Sequence, residues 1–321
     1  MTSYIARRVL QAIPLMILIS VIAFAMIQAS GDPLAAYTVD ASLTSDDIER
    51  LRQFYGLDAP VPVQYLNWVR NMVSGNWGTS YYTRENVYDM IRNRLPNTLL
   101  LVAISYVITL TLGIVIGIAT AIRRYTVFDH VVTTVSFVGI AIPSFWLGLL
   151  LIIVFSVQFR NWGLPFFPVG GMFDHRIGWS MSQVLWHAVL PATTLSVVMT
   201  AKYVRYIRSS IIEQLHLDYV RTARSKGISE RAILSKHVLK NALLPLITLI
   251  ALDVPLLLSG TIVIETVFAW PGMGRLFWSA AERADLPILM ATMLFVSLVT
   301  VLSNLVADVL YGAVDPRIRY T

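Results

Sequence analysis

The residues best able to act on another molecule form one polar, basic run, Asp218-Tyr-Val-Arg-Thr-Ala-Arg-Ser-Lys-Gly-Ile-Ser229, set between two long apolar stretches. It continues through Glu230-Arg-Ala-Ile-Leu-Ser-Lys-His-Val-Leu-Lys-Asn241 to Leu244-Pro245. Guanidinium, ammonium and hydroxyl groups at this density, without a nucleophile beside a base, suit docking rather than bond-making. The run reads as one short helix ended by Gly227 and a second capped by Ser229, and two short helices at an angle make a projecting knob. Such a knob fits a cleft on a soluble partner and passes rigid-body motion into the spans joined to it. A basic amphipathic loop resting on anionic headgroups is the blander use of the same surface.

Other chemistry is sparse. There is no Gly-x-x-x-x-Gly-Lys-Ser/Thr phosphate cradle, so the chain is not a self-contained ATPase of that type. His-Glu-x-x-His, Gly-x-Ser-x-Gly and paired carboxylates on one span are all missing, which argues against an enzyme. Cysteine is absent and the five histidines lack ligand-like spacing, so no metal site is expected. Within the apolar stretches the clear ionisable candidates are Asp253 and Asp308, fewer than gradient-driven carriers usually hold. Asp253 falls near the bilayer centre, with Pro255 two positions on expected to break the helix. It is read as a path-lining acid that meets a cationic part of a cargo, or as a structural acid bonded to a neighbouring helix or to a second subunit.

The elements that position these groups are membrane spans. Of 321 residues, 56% are hydrophobic and only 14% charged, the profile of a polytopic membrane protein. Six windows are long enough to cross: Val9–Ala29, Thr98–Ile122, Thr133–Val157, Val184–Val204, Ala242–Ile264 and Ile288–Leu310. The first is too long for a signal-peptide core and is expected to be an uncleaved anchor. Arg7 and Arg8, Arg123 and Arg124, Arg317 and Arg319, and the nine Lys/Arg between 202 and 240 all fall on one side of six spans, which should be the cytoplasm. That topology accounts for most of the net charge of +6, and nucleic acid is not an expected partner. Pro143 and Pro191 are expected to interrupt their helices, and Gly113-Ile-Val-Ile-Gly117 to allow close helix approach.

Opposite the basic side lies an insertion, roughly residues 30–97, with Ser45 reading as a helix N-cap, Gly56 as that helix's stop, and a second helical pattern over Val63–Met72. It should be a small folded lobe. Trp162, Phe166, Phe167, Trp179, Trp270, Phe277 and Trp278 sit near expected span ends, as an interfacial aromatic belt or a contact for an external partner.

With the 218–245 loop, the segments Tyr4-Ile-Ala-Arg-Arg8, Gly31-Asp-Pro33, Tyr55-Gly-Leu57, Pro62-Val-Gln-Tyr65, Leu95-Pro-Asn-Thr98, Ile142-Pro-Ser-Phe-Trp146, Leu190-Pro191, Glu265-Thr-Val-Phe268, Pro271-Gly-Met-Gly274 and Tyr311-Gly-Ala-Val-Asp-Pro-Arg317 make a pattern spanning almost the whole chain. It resembles the ABC-importer permeases of the dipeptide, oligopeptide and nickel transporter group. The family's Glu-Ala-Ala is represented here by Arg221-Thr-Ala223, while Gly227 and Leu244-Pro245 keep their places.

The resemblance implies an all-α membrane protein of the type I ABC-importer kind. Its six transmembrane helices would divide into an anchor and extracytoplasmic lobe (1–97), a permease core (98–312) with the coupling loop 205–241, and a cytoplasmic tail (313–321). It implies a bacterial inner-membrane subunit with both termini in the cytoplasm and no cofactor of its own. A second homologous permease would pair with it, two P-loop ATPases carrying ATP and Mg would grip the loop, and an extracytoplasmic binding protein would deliver cargo. Lipid surrounds the spans. Carried over residue by residue, the coupling helix is Tyr219–Lys226 with Gly227 as its turn, so the coupling residues are Tyr219, Arg221, Thr222, Ala223, Arg224, Ser225, Lys226 and Gly227. Arg221, Ala223, Arg224 and Ser225 are expected to touch an ATPase, and Asp253 to line the path. Peptides are the expected cargo, with nickel complexes, glutathione or oligosaccharides as alternatives. A gradient-driven carrier and a channel-like pore are the rivals from other classes.

Overall fold

The structure, a computed structural model, describes residues 2–29, 34, 44–54 and 56–314. The expected tail 313–321 therefore lies almost entirely outside the described residues, as does most of the segment after the first helix. The order is α1 (Thr2–Ala29), α2 (Ser45–Phe54), α3 (Val61–Val73), α4 (Val87–Ile122), α5 (Val127–Ala141), α6 (Ser144–Leu151), α7 (Phe159–Asn161), α8 (Met181–Leu215), α9 (Asp218–Ser225), α10 (Glu230–Ala232), α11 (Leu239–Val267), α12 (Met273–Glu282) and α13 (Leu286–Val314). Two π-helical stretches, Ile152–Gln158 and Ile233–Val238, join α6 to α7 and α10 to α11. Among the described residues there is no strand, only an isolated bridge between Thr79 and Asn86.

Among the described residues, four helical stretches are long and apolar enough to cross a membrane: Val87–Ile122, Ser144–Asn161, Met181–Leu215 and Leu286–Val306. Ile13–Met26 and Val127–Ala141 are shorter apolar stretches. The third sequence window, Thr133–Val157, is split at Ile142 and Pro143, as the proline predicts: α5 ends with Ile142 in extended conformation, and Pro143 opens α6. Pro191 behaves differently. It sits inside α8 without ending it, and α11 likewise runs on past Pro255.

By contact the chain forms two units, Met1–Pro96 with Gly272–Leu305, and Asn97–Pro271 with Val306–Thr321. In the first, the helix-capping expectation moves by one residue. Thr44, not Ser45, caps α2: its Oγ1 accepts from the Asp47 amide at 3.3 Å, while Asp47 Oδ2 takes the Thr44 amide at 3.1 Å. Gly56 ends that helix as read, at φ +67°. The link between α12 and α13 explains why residues 272–305 group with residues 1–96. Asp285, almost fully buried, receives the Ser80 hydroxyl, the Tyr81 amide at 3.2 Å and the Tyr82 amide at 3.4 Å. Val87 and Ile91 share an apolar core with Met273, Leu276, Ile288 and Ala291. α4 begins at Val87 and runs through Pro96, where the first unit passes into the second.

In the second unit α8 is the hub, packing against α5, α6 and α11. The Gly113–Gly117 face of α4 meets it closely. A Cβ at Gly113 would lie 3.0 Å from Tyr203 Cβ, and one at Gly117 would lie 2.9 Å from Ile207 Cβ and 3.2 Å from the Val204 carbonyl. Trp270 is fully buried rather than interfacial: its Nε1 donates to the Asn97 carbonyl at 3.0 Å, and Asn97 Nδ2 donates to the Pro271 carbonyl at 2.8 Å. Trp162, Phe166, Trp179 and Trp278 are exposed, and so fit the belt or partner reading. Gly117→Ala should push α4 from α8 at the cost of overpacking, about 1–3 kcal/mol. A melting temperature of the purified protein equal to wild type would contradict that close contact.

Candidate functional site

α9 is amphipathic in a way that makes it a rooted knob. Val220 and Ala223 are buried three residues apart, on one side of the helix. They join Ile207 and Ile211 of α8, Ile233 and Val238 of the π stretch, and Ala242 and Leu246 of α11 in one apolar core. Arg221, Thr222, Arg224, Ser225, Lys226 and Gly227 are exposed on the other side. Ala223 is therefore a correction: its methyl faces the core and is not open to an ATPase surface. Tyr219 is half-buried, its hydroxyl donating to Gln214 Oε1 at 2.9 Å.

The turn after α9 is a Schellman closure. Gly227 donates to the Arg224 carbonyl at 3.0 Å, and Ile228 to the Ala223 carbonyl at 3.2 Å, with Gly227 at φ +72°. Nothing lies within 4 Å of where its Cβ would be, so glycine is needed there for its backbone conformation alone. Across the turn, Arg224 Nε and Nη2 donate to the two Glu230 carboxylate oxygens at 2.6 and 3.1 Å. Those bonds hold the Glu230 carboxyl below its ordinary pKa. Ser229 starts the next helix by its backbone, but its side chain makes no capping bond. The second helix is no separate element either. α10, the π stretch and α11 follow one another without a break, so the knob is one short helix and a turn on the end of a long one. Beside it lies a recess of about 760 Å³ bordered by Arg124, Arg221, Arg224 and Arg231, with Glu230 as its carboxylate.

Asp253 on α11 is 4% exposed and already partnered. Lys202 Nζ on α8 lies 2.7 Å from its Oδ1, and the Tyr203 hydroxyl donates to its Oδ2 at 3.0 Å. Of the two readings, the structure favours the structural acid: its carboxylate is spent on α8, leaving the half-exposed Lys202 as the accessible end of the pair. Lys202 was legible as that partner, because it is the one Lys or Arg in Val184–Val204 and a buried acid on another span calls for a cation. A second pair escaped the sequence reading. Arg208 Nε and Nη2 donate to Asp129 Oδ1 and Oδ2 at 2.6 and 2.7 Å, tying α8 to the first turn of α5. No group of three or more His, Cys, Asp or Glu able to hold a metal occurs among the described residues.

Comparison with known proteins decides the family. Residues 113–320 match the binding-protein-dependent transport system inner membrane component family, and residues 1–102 match the N-terminal family of the same membrane components. The chain belongs to the binding-protein-dependent transport system inner membrane components. It is 41% identical over 322 residues to the oligopeptide transport system permease protein AppB of Bacillus subtilis (strain 168), covering all of both chains. It is 37% identical over 343 residues to the di/tripeptide transport system permease protein DppB of Pseudomonas aeruginosa (strain UCBPP-PA14), covering all of this chain and 99% of that one. Membership makes this chain a membrane component of a transport system, consistent with its long apolar helices.

The Lys202–Asp253 pair gives an asymmetric prediction. Removing the lysine strands a buried carboxylate, whereas removing the acid leaves an ammonium that can reach water. Lys202→Met should therefore cost on the order of 3 kcal/mol of stability and Asp253→Asn about 1 kcal/mol. Chemical denaturation of the two variants in detergent checks the order, and equal losses would contradict it.

Proposed function

We propose that this chain is the permease subunit of an ATP-driven, binding-protein-dependent importer of peptides, coupled through α9 to ATPases on other chains. The carrying observation is the polar, exposed face of α9 on an apolar root shared with α8 and α11. A domain that grips this face moves the ends of both helices at once. Family membership and the peptide names of its relatives support the cargo class.

The full arrangement has six spans: α1, α4, α5 with α6 and α7, α8, α11 and α13. Both termini and α9 are cytoplasmic, as the Lys/Arg distribution requires. A second permease of the same family completes the path, two P-loop ATPases with ATP and Mg take the two knobs, and an external binding protein delivers the peptide to the opposite face. ATP closes the ATPase pair, α9 is displaced, and α8 and α11 move with it to open the path outward. Arg221, Thr222, Arg224, Ser225 and Lys226 are the side chains that meet the ATPase, and no bond is made or broken on this chain.

Purification in mild detergent with mass spectrometry of stoichiometric partners tests the assignment. A second permease and P-loop ATPases are expected, and recovery of this chain alone would count against it. Coupling itself is read by a substitution series at Gly227. Asn tolerates positive φ, Ala costs about 1–2 kcal/mol there, and Val is worse because its branched Cβ crowds the backbone. Peptide uptake per ATP hydrolysed should fall in the order Gly, Asn, Ala, Val, and full coupling in Gly227→Val would refute the role of the turn.

A further inference from the structure

We propose that the recess between α5 and α8 around Arg205 binds the phosphodiester of an anionic membrane phospholipid. The recess has a volume of about 580 Å³ and presents Lys202, Arg205 and Arg208 together with the polar groups of Thr133, Tyr206 and Ser209. Lys202, Arg205 and Ser209 follow the three- and four-residue spacing of one helix face.

Charge matching singles out Arg205. Arg208 has Asp129 on both carboxylate oxygens, and Lys202 has Asp253. Among the described residues no carboxylate pairs with Arg205. Its guanidinium lies over the Phe137 ring at 4.3 Å, a contact that fixes its position without neutralising it. A fixed, exposed guanidinium flanked by hydroxyls and by an ammonium only half withdrawn is a receptor for an anionic oxygen group.

The surroundings select a lipid as the source of that group. Two apolar side chains of α5, Phe137 and Ile140, line the recess itself and are both exposed, offering a surface for acyl chains within it. On α8 the apolar run ends where Lys202, Arg205 and Arg208 begin, the level at which hydrocarbon gives way to headgroups. A soluble anion would use the cations and have no use for that apolar wall. Placing the lipid in the inner leaflet rests on the orientation proposed above; the phosphate chemistry does not.

The test uses the purified transporter with its co-purifying subunits, delipidated and titrated with dioleoylphosphatidylglycerol or dioleoylphosphatidylcholine in detergent, with bound lipid read by native mass spectrometry. Wild type should retain phosphatidylglycerol over phosphatidylcholine. Arg205→Gln should lose that retention about fivefold or more, while Arg205→Lys, which keeps the charge, and Lys236→Gln, exposed on the π stretch Ile233–Val238, should retain it. Equal retention by Arg205→Gln and wild type would overturn the site, as would equal loss in Lys236→Gln. So would loss of a partner subunit instead of lipid in Arg205→Gln, since the recess would then hold a protein carboxylate. The chain has no cysteine, so labelling Ser229→Cys in sealed vesicles reads the orientation separately. Labelling only from the periplasmic side would overturn the leaflet assignment without touching the lipid titration.

Discussion

Ionised groups cannot be left alone at membrane depth, and α8 is built around that constraint. Its cations at 202 and 208 reach carboxylates on α11 and α5, and each pair fixes how α8 meets a neighbour. Small residues on α4 bring a third helix against the same stretch, at Tyr203 and Ile207. Two residues of α8 therefore do double duty: Tyr203 packs against Gly113 while its hydroxyl holds Asp253, and Ile207 packs against Gly117 while it belongs to the core that roots α9. The charged pairs set orientation and the apolar packing sets distance, so the helices around α8 have little freedom to slide independently. A buried pair of this kind adds little net stability against a well-packed apolar substitute, but it is costly to break from one side.

The knob inherits this rigidity. Burying Val220 and Ala223 takes a helix of only eight residues, too short to persist alone in water, and fixes it on the core. The exposed Arg224–Glu230 pair adds geometry across the turn rather than much stability. α9 is thus stable because of what lies beneath it and available because of what does not lie above it.

Much of this was legible from residue types. Hydropathy marked the long apolar helices, four of which among the described residues are long and apolar enough to cross a membrane, and the Pro143 break, the Gly56 and Gly227 stops and the Gly113–Gly117 contact all follow from local backbone rules. What was not legible depended on three-dimensional neighbours. Ala223 looks available in a polar run, yet helical spacing from Val220 turns it inward. Pro191 and Pro255 look like breaks, yet the helices that hold them continue past them. Trp270 looks like a belt residue until its indole nitrogen finds the Asn97 carbonyl. The Asp129–Arg208 pair joins residues 79 positions apart, which no periodicity reveals. The π stretch that joins α10 to α11 also has no simple signature in Ile233–Val238.

The open space around Gly227 has a stereochemical corollary. An L-residue is unfavourable there because of its handedness and not its bulk, since the position where a Cβ would be built is empty. A D-amino acid, for which positive φ is the relaxed conformation, would occupy the turn comfortably even with a sizeable side chain. The turn is selective for chirality and indifferent to volume, so a probe or crosslinker carried on a D-residue could be placed at the tip of the knob without bending it.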